Sequence, residues 1–304
     1  MRVRELNSSA VYQAISGNGL NLQLGCFVFS INSRIKPLAA SISSLYGDYE
    51  LSDGALIDFH IDLNVVNDLN AILFRKKAVF LADGFAPFDP LPHQHAPALF
   101  EWGMNWCVSS QINTFLIIHA AVVEKNGYAA VMPAPPGSGK STLTASLIQE
   151  GWRLLSDELA LLDLQTGYVT PFPRPVSLKN ASIDLIRHRY PDVVFGPLSS
   201  DTVKGSVCHI KPPSASVEMQ HQACPIGWVV FPKYEPGIEA ELSNIGKAST
   251  VMALADNSFN YNLLAKAGFN ILTQIVERAD CYRYRYSLLD QAIAAFDSLA
   301  NSKR

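Results

Sequence analysis

Residues 134–141 read Ala134-Pro135-Pro136-Gly137-Ser138-Gly139-Lys140-Ser141. The run fits (Ala or Gly)-x-x-x-x-Gly-Lys-(Ser or Thr), the pattern of a loop that cradles phosphate. Glycines let successive backbone N–H groups converge on phosphate oxygens. The lysine reaches the β/γ-phosphates, and the hydroxyl after it ligates Mg²⁺. Pro135 and Pro136 carry no N–H, so the donors begin at Gly137. The predicted nucleotide-binding set is Pro136, Gly137, Ser138, Gly139, Lys140, Ser141 and Thr142, with Ser141 also on the metal. ATP and Mg²⁺ are the expected ligands.

A phosphate loop of this kind works with an acidic partner for Mg²⁺. Past Ser141 comes Arg153-Leu154-Leu155-Ser156-Asp157-Glu158-Leu159-Ala160-Leu161-Leu162, an apolar run with adjacent carboxylates in its middle. Carboxylates in a buried strand are costly unless a cation or hydrogen bonds compensate. Neighbours in a strand point to opposite faces, so Asp157 and Glu158 need a bend or bulge to serve one site. His119 lies in a second apolar run, Leu116-Ile117-Ile118-His119-Ala120-Ala121. A lone histidine in such a strand is ordinarily a satisfied core residue. Here a hairpin brings its strand beside the one feeding the phosphate loop.

The elements that must position these residues are legible. Thr114–Val123 reads as a buried strand, Glu124-Lys125-Asn126-Gly127 as a hairpin turn and Tyr128–Met132 as the return strand. Ser141–Glu150 reads as a helix with Leu143, Leu147 and Ile148 on one face and Gly151 as its stop. Upstream, the spacing predicts a strand over Leu20–Ile31, a helix over Ile35–Tyr46 and a half-buried strand within Gly54–Leu63 that alternates from Ile57. A strand at Ala78–Leu81 enters an Asp83-Gly84 turn, and the proline-rich break Ala86–Pro92 precedes a helix over Ala96–Cys107. The boundary falls near residue 108, which predicts a small α+β N-terminal domain over 1–108 and a phosphate-loop domain over 109–304.

Composition removes several function classes. Lys+Arg number 24 and Asp+Glu 27 in 304 residues, a net charge of −3, so the chain is not built to coat nucleic acid. Hydrophobic residues make up 48% and charged residues 17%, which supports a folded core. The five cysteines, Cys26, Cys107, Cys208, Cys224 and Cys281, are odd in number and form no CxxC. A disulfide scaffold or structural zinc site is not expected. No signal peptide is visible, and the apolar run Phe115–Val123 is too short to cross a bilayer. A cytoplasmic protein without a membrane span is the expectation, and self-association stays open. Pro92-His93-Gln94-His95 lacks a metal pattern, and Cys281-Tyr282-Arg283-Tyr284-Arg285-Tyr286 reads as a strand with tyrosines on one face and arginines on the other.

The order His119, then Gly137-Ser138-Gly139-Lys140-Ser141, then Gly151-Trp152-Arg153-Leu154-Leu155-Ser156-Asp157-Glu158 resembles the catalytic domain of the bacterial HPr kinase/phosphorylase family. Glu101–Cys107, Pro173–Asn180, Lys204–Val207 and Phe231–Tyr234 resemble its branch of HPr-kinase-related A kinases. The resemblance implies an α/β, mixed-sheet P-loop kinase domain of the HPr kinase/phosphoenolpyruvate carboxykinase type. It also implies transfer of the ATP γ-phosphate to a hydroxyl, with Ser or Thr of a protein or peptide as the acceptor. By that resemblance Asp157 is the base toward the acceptor, Glu158 serves the metal, and His119 orients the acid. Arg174, on a proline-punctuated segment after the acids, is a candidate clamp for phosphate or substrate, as is Lys179. The departures are Ala134 for glycine, Glu158 for aspartate, and Pro171-Phe172-Pro173-Arg174-Pro175 in place of the family's Leu-Glu-x-Arg-Gly-x-Gly segment. HPr as substrate, the reverse phosphorylase reaction and a hexamer are therefore not carried over. The alternatives are a small-molecule or carboxykinase-like enzyme and a non-catalytic ATP-binding regulatory module.

Overall fold

The computed structural model describes residues 1–54, 56–66, 76–135 and 137–303. Its strands in chain order begin with β1 (Leu20–Leu24), β2 (Phe27–Ser33), β3 (Phe59–Val65), β4 (Lys77–Ala82) and β5 (Leu91–Pro92). There follow β6 (Phe115–Lys125), β7 (Tyr128–Pro133), β8 (Arg153–Ser156), β9 (Leu159–Asp163) and β10 (Val169–Thr170). The last are β11 (Val176–Lys179), β12 (Ser199–Thr202), β13 (Gly205–Ile210), β14 (Ile226–Tyr234), β15 (Glu241–Asn244) and β16 (Asp280–Tyr286). The fold is mixed α/β with mixed sheets, and it clusters into two compact units. One comprises Met1–Val108 with Ser177–Glu218, the other Ser109–Val176 with Met219–Arg304.

In the first unit β1 to β5 pair in sequence order, with β2 and β3 parallel and the other neighbours antiparallel. The helix Lys36–Leu45 supplies the crossover that a parallel β2–β3 pair requires, and it buries Leu38, Ala39, Ile42 and Leu45. In β3 the alternation works as expected, since Phe59, Ile61 and Leu63 are buried and His60 is exposed. The single strand expected over Leu20–Ile31 is instead two, because Gly25 takes φ +56° and turns the chain between β1 and β2. Part of the expected Gly54–Leu63 strand, Ala55, lies outside the described residues.

Residues 177–218, read from the sequence as part of the second domain, group with the first unit. They carry the small sheet β11-β13-β12. Buried Asp48 explains much of the attachment. Its carboxylate accepts from Lys211 Nζ at 2.7 Å and Ser214 Oγ at 2.7 Å, and from Arg4 Nη1 at 2.9 Å. His95 Nε2 also lies 2.7 Å from the Ser200 carbonyl.

In the second unit the sheet order is β10-β9-β6-β7-β14-β16-β15, with β8 also on β6. Its centre is parallel, β7 with β14 and β14 with β16. Their C-terminal ends therefore lie along one edge, the place where open α/β sheets receive ligands. The β6–β7 hairpin turns through Asn126 (φ +57°) and Gly127 (φ +83°), the values an Asn-Gly turn supplies. Val169 and Cys224 exchange backbone hydrogen bonds of 2.8 and 3.1 Å, so β10 curls back to the segment entering β14. The core beneath holds Leu116, Ile118, Val131, Leu155, Val229 and Leu272, among others. Among the described residues no helix is long and apolar enough to cross a membrane.

Candidate functional site

The phosphate-type loop leaves the C-terminal end of β7 and runs into the helix Lys140–Gln149. Gly137 and Gly139 take φ +85° and +86°, a region open to glycine at little cost. Gly139 is the N-cap and, having no side chain, does not cap the helix start itself. An α-helix begins with backbone N–H groups that have no intrahelical acceptor, and its dipole favours an anion there. Ser138 is buried, and its Oγ has no hydrogen-bond partner among the described residues. A buried hydroxyl without a partner is costly, and a phosphate oxygen would satisfy it. Lys140 is buried as well. Ser141 and Thr142 are half-buried, and Pro136 lies outside the described residues.

The acids sit on a bend. β8 and β9 both pair with β6, and the chain breaks strand geometry only at Asp157 and Glu158 between them. Ser156 Oγ spans the bend by accepting from the Leu159 N–H at 3.1 Å. The Glu158 carbonyl still accepts from the Ala120 N–H at 3.2 Å. The bend takes both Asp157 and Glu158 out of strand geometry. Asp157 is buried at 4% exposure, while the Glu158 side chain keeps 26%.

Two contacts link these parts. Lys140 Nζ donates to the main-chain carbonyl of Asp157 at 3.3 Å, so the loop lysine reaches the acidic bend directly. His119 Nε2 lies 2.9 Å from Glu158 Oε2, and the His119 ring also rests against Phe259 at 5.9 Å between centroids. The acid that His119 holds by this bond is Glu158. His119 is held in turn through its own N–H, which donates to the Asn257 carbonyl at 2.7 Å.

Arg174 is buried, with its guanidinium 5.3 Å from the centre of the Phe172 ring. Phe172 N–H donates to the Leu155 carbonyl at 2.7 Å, which docks the proline-rich segment alongside β8, two residues before Asp157. Lys179 is half-buried on β11, in a stretch that clusters with the first unit. The Asn260 amide accepts from the Ile117 N–H at 3.0 Å and donates to the Phe115 carbonyl at 2.8 Å, fastening the start of β6.

Sequence reasoning missed the partners of the loop at the ends of β14 and β16. Tyr234 N–H donates to the Ser138 carbonyl at 2.8 Å, and the Tyr286 hydroxyl donates to the Gly139 carbonyl at 3.3 Å. The alternation of Tyr and Arg in β16 signalled only a strand. In that strand Tyr284 and Tyr286 are buried while Arg283 and Arg285 are exposed.

No set of three or more His, Cys, Asp or Glu side chains among the described residues is grouped to hold a metal ion. Mg²⁺ at phosphate sites commonly takes only one or two carboxylates and completes its shell with phosphate oxygens and water. Ser141, Glu158 and Asp157 are the donors available for that arrangement. The Ser138 hydroxyl, without a partner among the described residues, the glycine at the helix start and buried Lys140 fit a phosphate-bearing ligand. The chain matches no protein-family model, and no curated protein matches it.

Proposed function

We propose that this protein is an ATP-dependent phosphotransferase of the HPr kinase-like type, which moves a γ-phosphoryl group to a hydroxyl, that of Ser or Thr in a protein or peptide. One observation carries the reading: Lys140 Nζ bonds the Asp157 carbonyl at 3.3 Å, so a glycine-rich anion loop and a bend bearing two carboxylates form one site. A P-loop kinase domain over residues 109–176 and 219–304 is the corresponding fold proposal.

ATP with Mg²⁺ supplies the phosphoryl group and neutralises part of its charge. The backbone N–H groups of Gly137 and Gly139 would hold phosphate oxygens, as would that of Ser138 on leaving the Pro135 carbonyl to which it donates at 3.3 Å, and Ser141 with Glu158 would hold the metal. Lys140 exchanges the Asp157 carbonyl for a phosphate oxygen, placing its charge where the loose transition state accumulates negative charge. The acceptor oxygen forms its bond to phosphorus as the bond to the departing ADP oxygen breaks. Asp157 takes the acceptor's proton on its carboxylate and later releases it to water. His119 holds Glu158 in place. Arg174, beside the bend, adds positive charge for phosphate or substrate.

The test is transfer of label. Wild type and Asp157→Asn are incubated with Mg²⁺, γ-labelled ATP and an extract of the source organism. Label on a protein band with wild type alone is the expected result. Label in a small molecule instead would replace the protein acceptor with a metabolite. ATP binding without transfer to any acceptor would overturn the enzymatic reading.

A further inference from the structure

Beyond its internal bond from the Ser138 N–H to the Pro135 carbonyl at 3.3 Å, the loop is tied to the strand ends. Two of its carbonyls are drawn back to the sheet edge, Ser138's by the Tyr234 N–H at 2.8 Å and Gly139's by the Tyr286 hydroxyl at 3.3 Å. The Gly139 carbonyl also accepts the first helical bond, from the Leu143 N–H at 2.9 Å. A trans peptide is planar, and its C=O and N–H point in opposite directions. A carbonyl pinned toward the strand ends therefore turns the next residue's N–H away from them. Tyr234 in this way aims the N–H of Gly139, and Tyr286 aims the N–H of Lys140.

The surroundings leave little freedom. Tyr286 is 1% exposed, stacks on Tyr284 with ring centres 5.4 Å apart, and meets Tyr234 edge-on at 5.9 Å. Burial, and then the neighbouring tyrosines, push its hydroxyl well above the ordinary phenol range, so it remains a donor at any working pH. At Gly139 an added Cβ would stand 2.6 Å from Tyr286 Oη and 2.9 Å from Tyr234 Cβ. The glycine and the two tyrosines are fitted to each other.

We infer that Tyr286, together with the Tyr234 backbone, is a positioning device that orients the N–H groups of Gly139 and Lys140 toward the phosphates of the ligand. The inference rests on the phosphate-binding reading above and adds residues more than ninety positions from the loop. Tyr286 is a positioning residue, since it acts on the ligand through Gly139.

The experiment measures MgATP affinity of the full chain for wild type, Tyr286→Phe, Tyr284→Phe and Lys140→Ala, alongside melting curves and, where turnover is seen, KM for ATP against kcat. Removing one hydroxyl that orients a donor should weaken MgATP binding by about 3- to 10-fold. Melting should stay within a few degrees and kcat near wild type. Tyr284→Phe removes a neighbouring buried hydroxyl that has no partner among the described residues, and it should bind MgATP normally. Equal affinity in wild type and Tyr286→Phe overturns the inference and leaves the phosphate loop standing. Equal losses in both tyrosine variants, or a loss that only follows a large drop in melting temperature, also overturn it. If wild type binds no MgATP, and Lys140→Ala is indistinguishable from it, the phosphate-loop reading falls as well.

Discussion

Gly127 and Gly139 show how two glycines with one backbone conformation differ in consequence. Their φ values are +83° and +86°, yet nothing lies within 4 Å of a Cβ added at Gly127, while one at Gly139 strikes Tyr286 and Tyr234. Gly127→Ala should cost about 1 kcal/mol by urea unfolding and leave ATP binding intact. Gly139→Ala should abolish ATP binding, because the strain is joined by a collision that displaces the loop. Lys140→Ala and Asp157→Asn should each lower turnover by about 100-fold or more, as electrostatic and general-base contributions do. Normal turnover in Asp157→Asn would remove Asp157 as the base. The 2.9 Å bond between His119 and Glu158 predicts coupling, so that Glu158→Gln combined with His119→Ala loses less than the sum of the single variants. Asp48 offers a test at the other unit. Burial raises its carboxyl pKa, but bonds from Lys211 and Ser214 and the charges of Lys211 and Arg4 outweigh that, and the net effect holds it below the usual range. Its contribution to stability is thus full above the unfolded value of about 3.9 and is lost as pH falls through the lower folded value. Asp48→Asn should be less stable than wild type at pH 7, and the difference should shrink on acidification below about pH 4.

Among the elements, the bent pair β8–β9 does the most for the site. Two short strands on one long partner, β6, let Asp157 and Glu158 leave strand geometry without losing the sheet on either side. Ser156→Ala removes the hydroxyl that accepts from Leu159 N–H across the bend, and should cost about 1 kcal/mol along with turnover. The helix Leu289–Ser302 secures the hairpin from behind. Asp297 Oδ1 accepts from Lys125 Nζ at 2.7 Å and from Trp152 Nε1 at 2.9 Å. Asp297→Ala leaves the indole N–H unsatisfied and should cost about 1–3 kcal/mol, read from thermal melting. The helix Lys266–Arg278 ends on a cation, since Lys247 Nζ donates to the Val276 and Ala279 carbonyls at 2.6 Å each. A lysine there satisfies terminal carbonyls and opposes the helix dipole.

At the scale of the molecule, the chain leaves the second unit after residue 176 and returns to it at 219. The intervening segment buries Leu178, Ile186, Val207 and Ile210. Lys211 and Ser214 from that segment meet Asp48 within the first unit. A fragment of 109–304 therefore strips this segment of the partners it packs against. It should aggregate or expose apolar surface, measured by dye binding and by heteronuclear NMR. A well-dispersed, monomeric 109–304 would contradict the observed grouping.

The sequence by itself determined the local elements around the loop and the residue types on which the proposed chemistry rests. Asn-Gly specified the hairpin turn through backbone torsion. Glycines, lysine and serine specified the loop, and adjacent carboxylates in an apolar run needed a bend or bulge if both were to serve one site. These are interactions among near neighbours, and near neighbours are readable from spacing. Only the tertiary structure decided that His119 holds Glu158 and that Asn260 fastens β6. It alone placed Tyr234 and Tyr286 against Ser138 and Gly139, and Lys211 and Ser214 against Asp48. Each of these pairs is separated by many residues, and its partners meet because sheet order and crossovers bring distant strands together. Spacing along a chain carries no record of that, since the same alternation of tyrosine and arginine suits any half-buried strand.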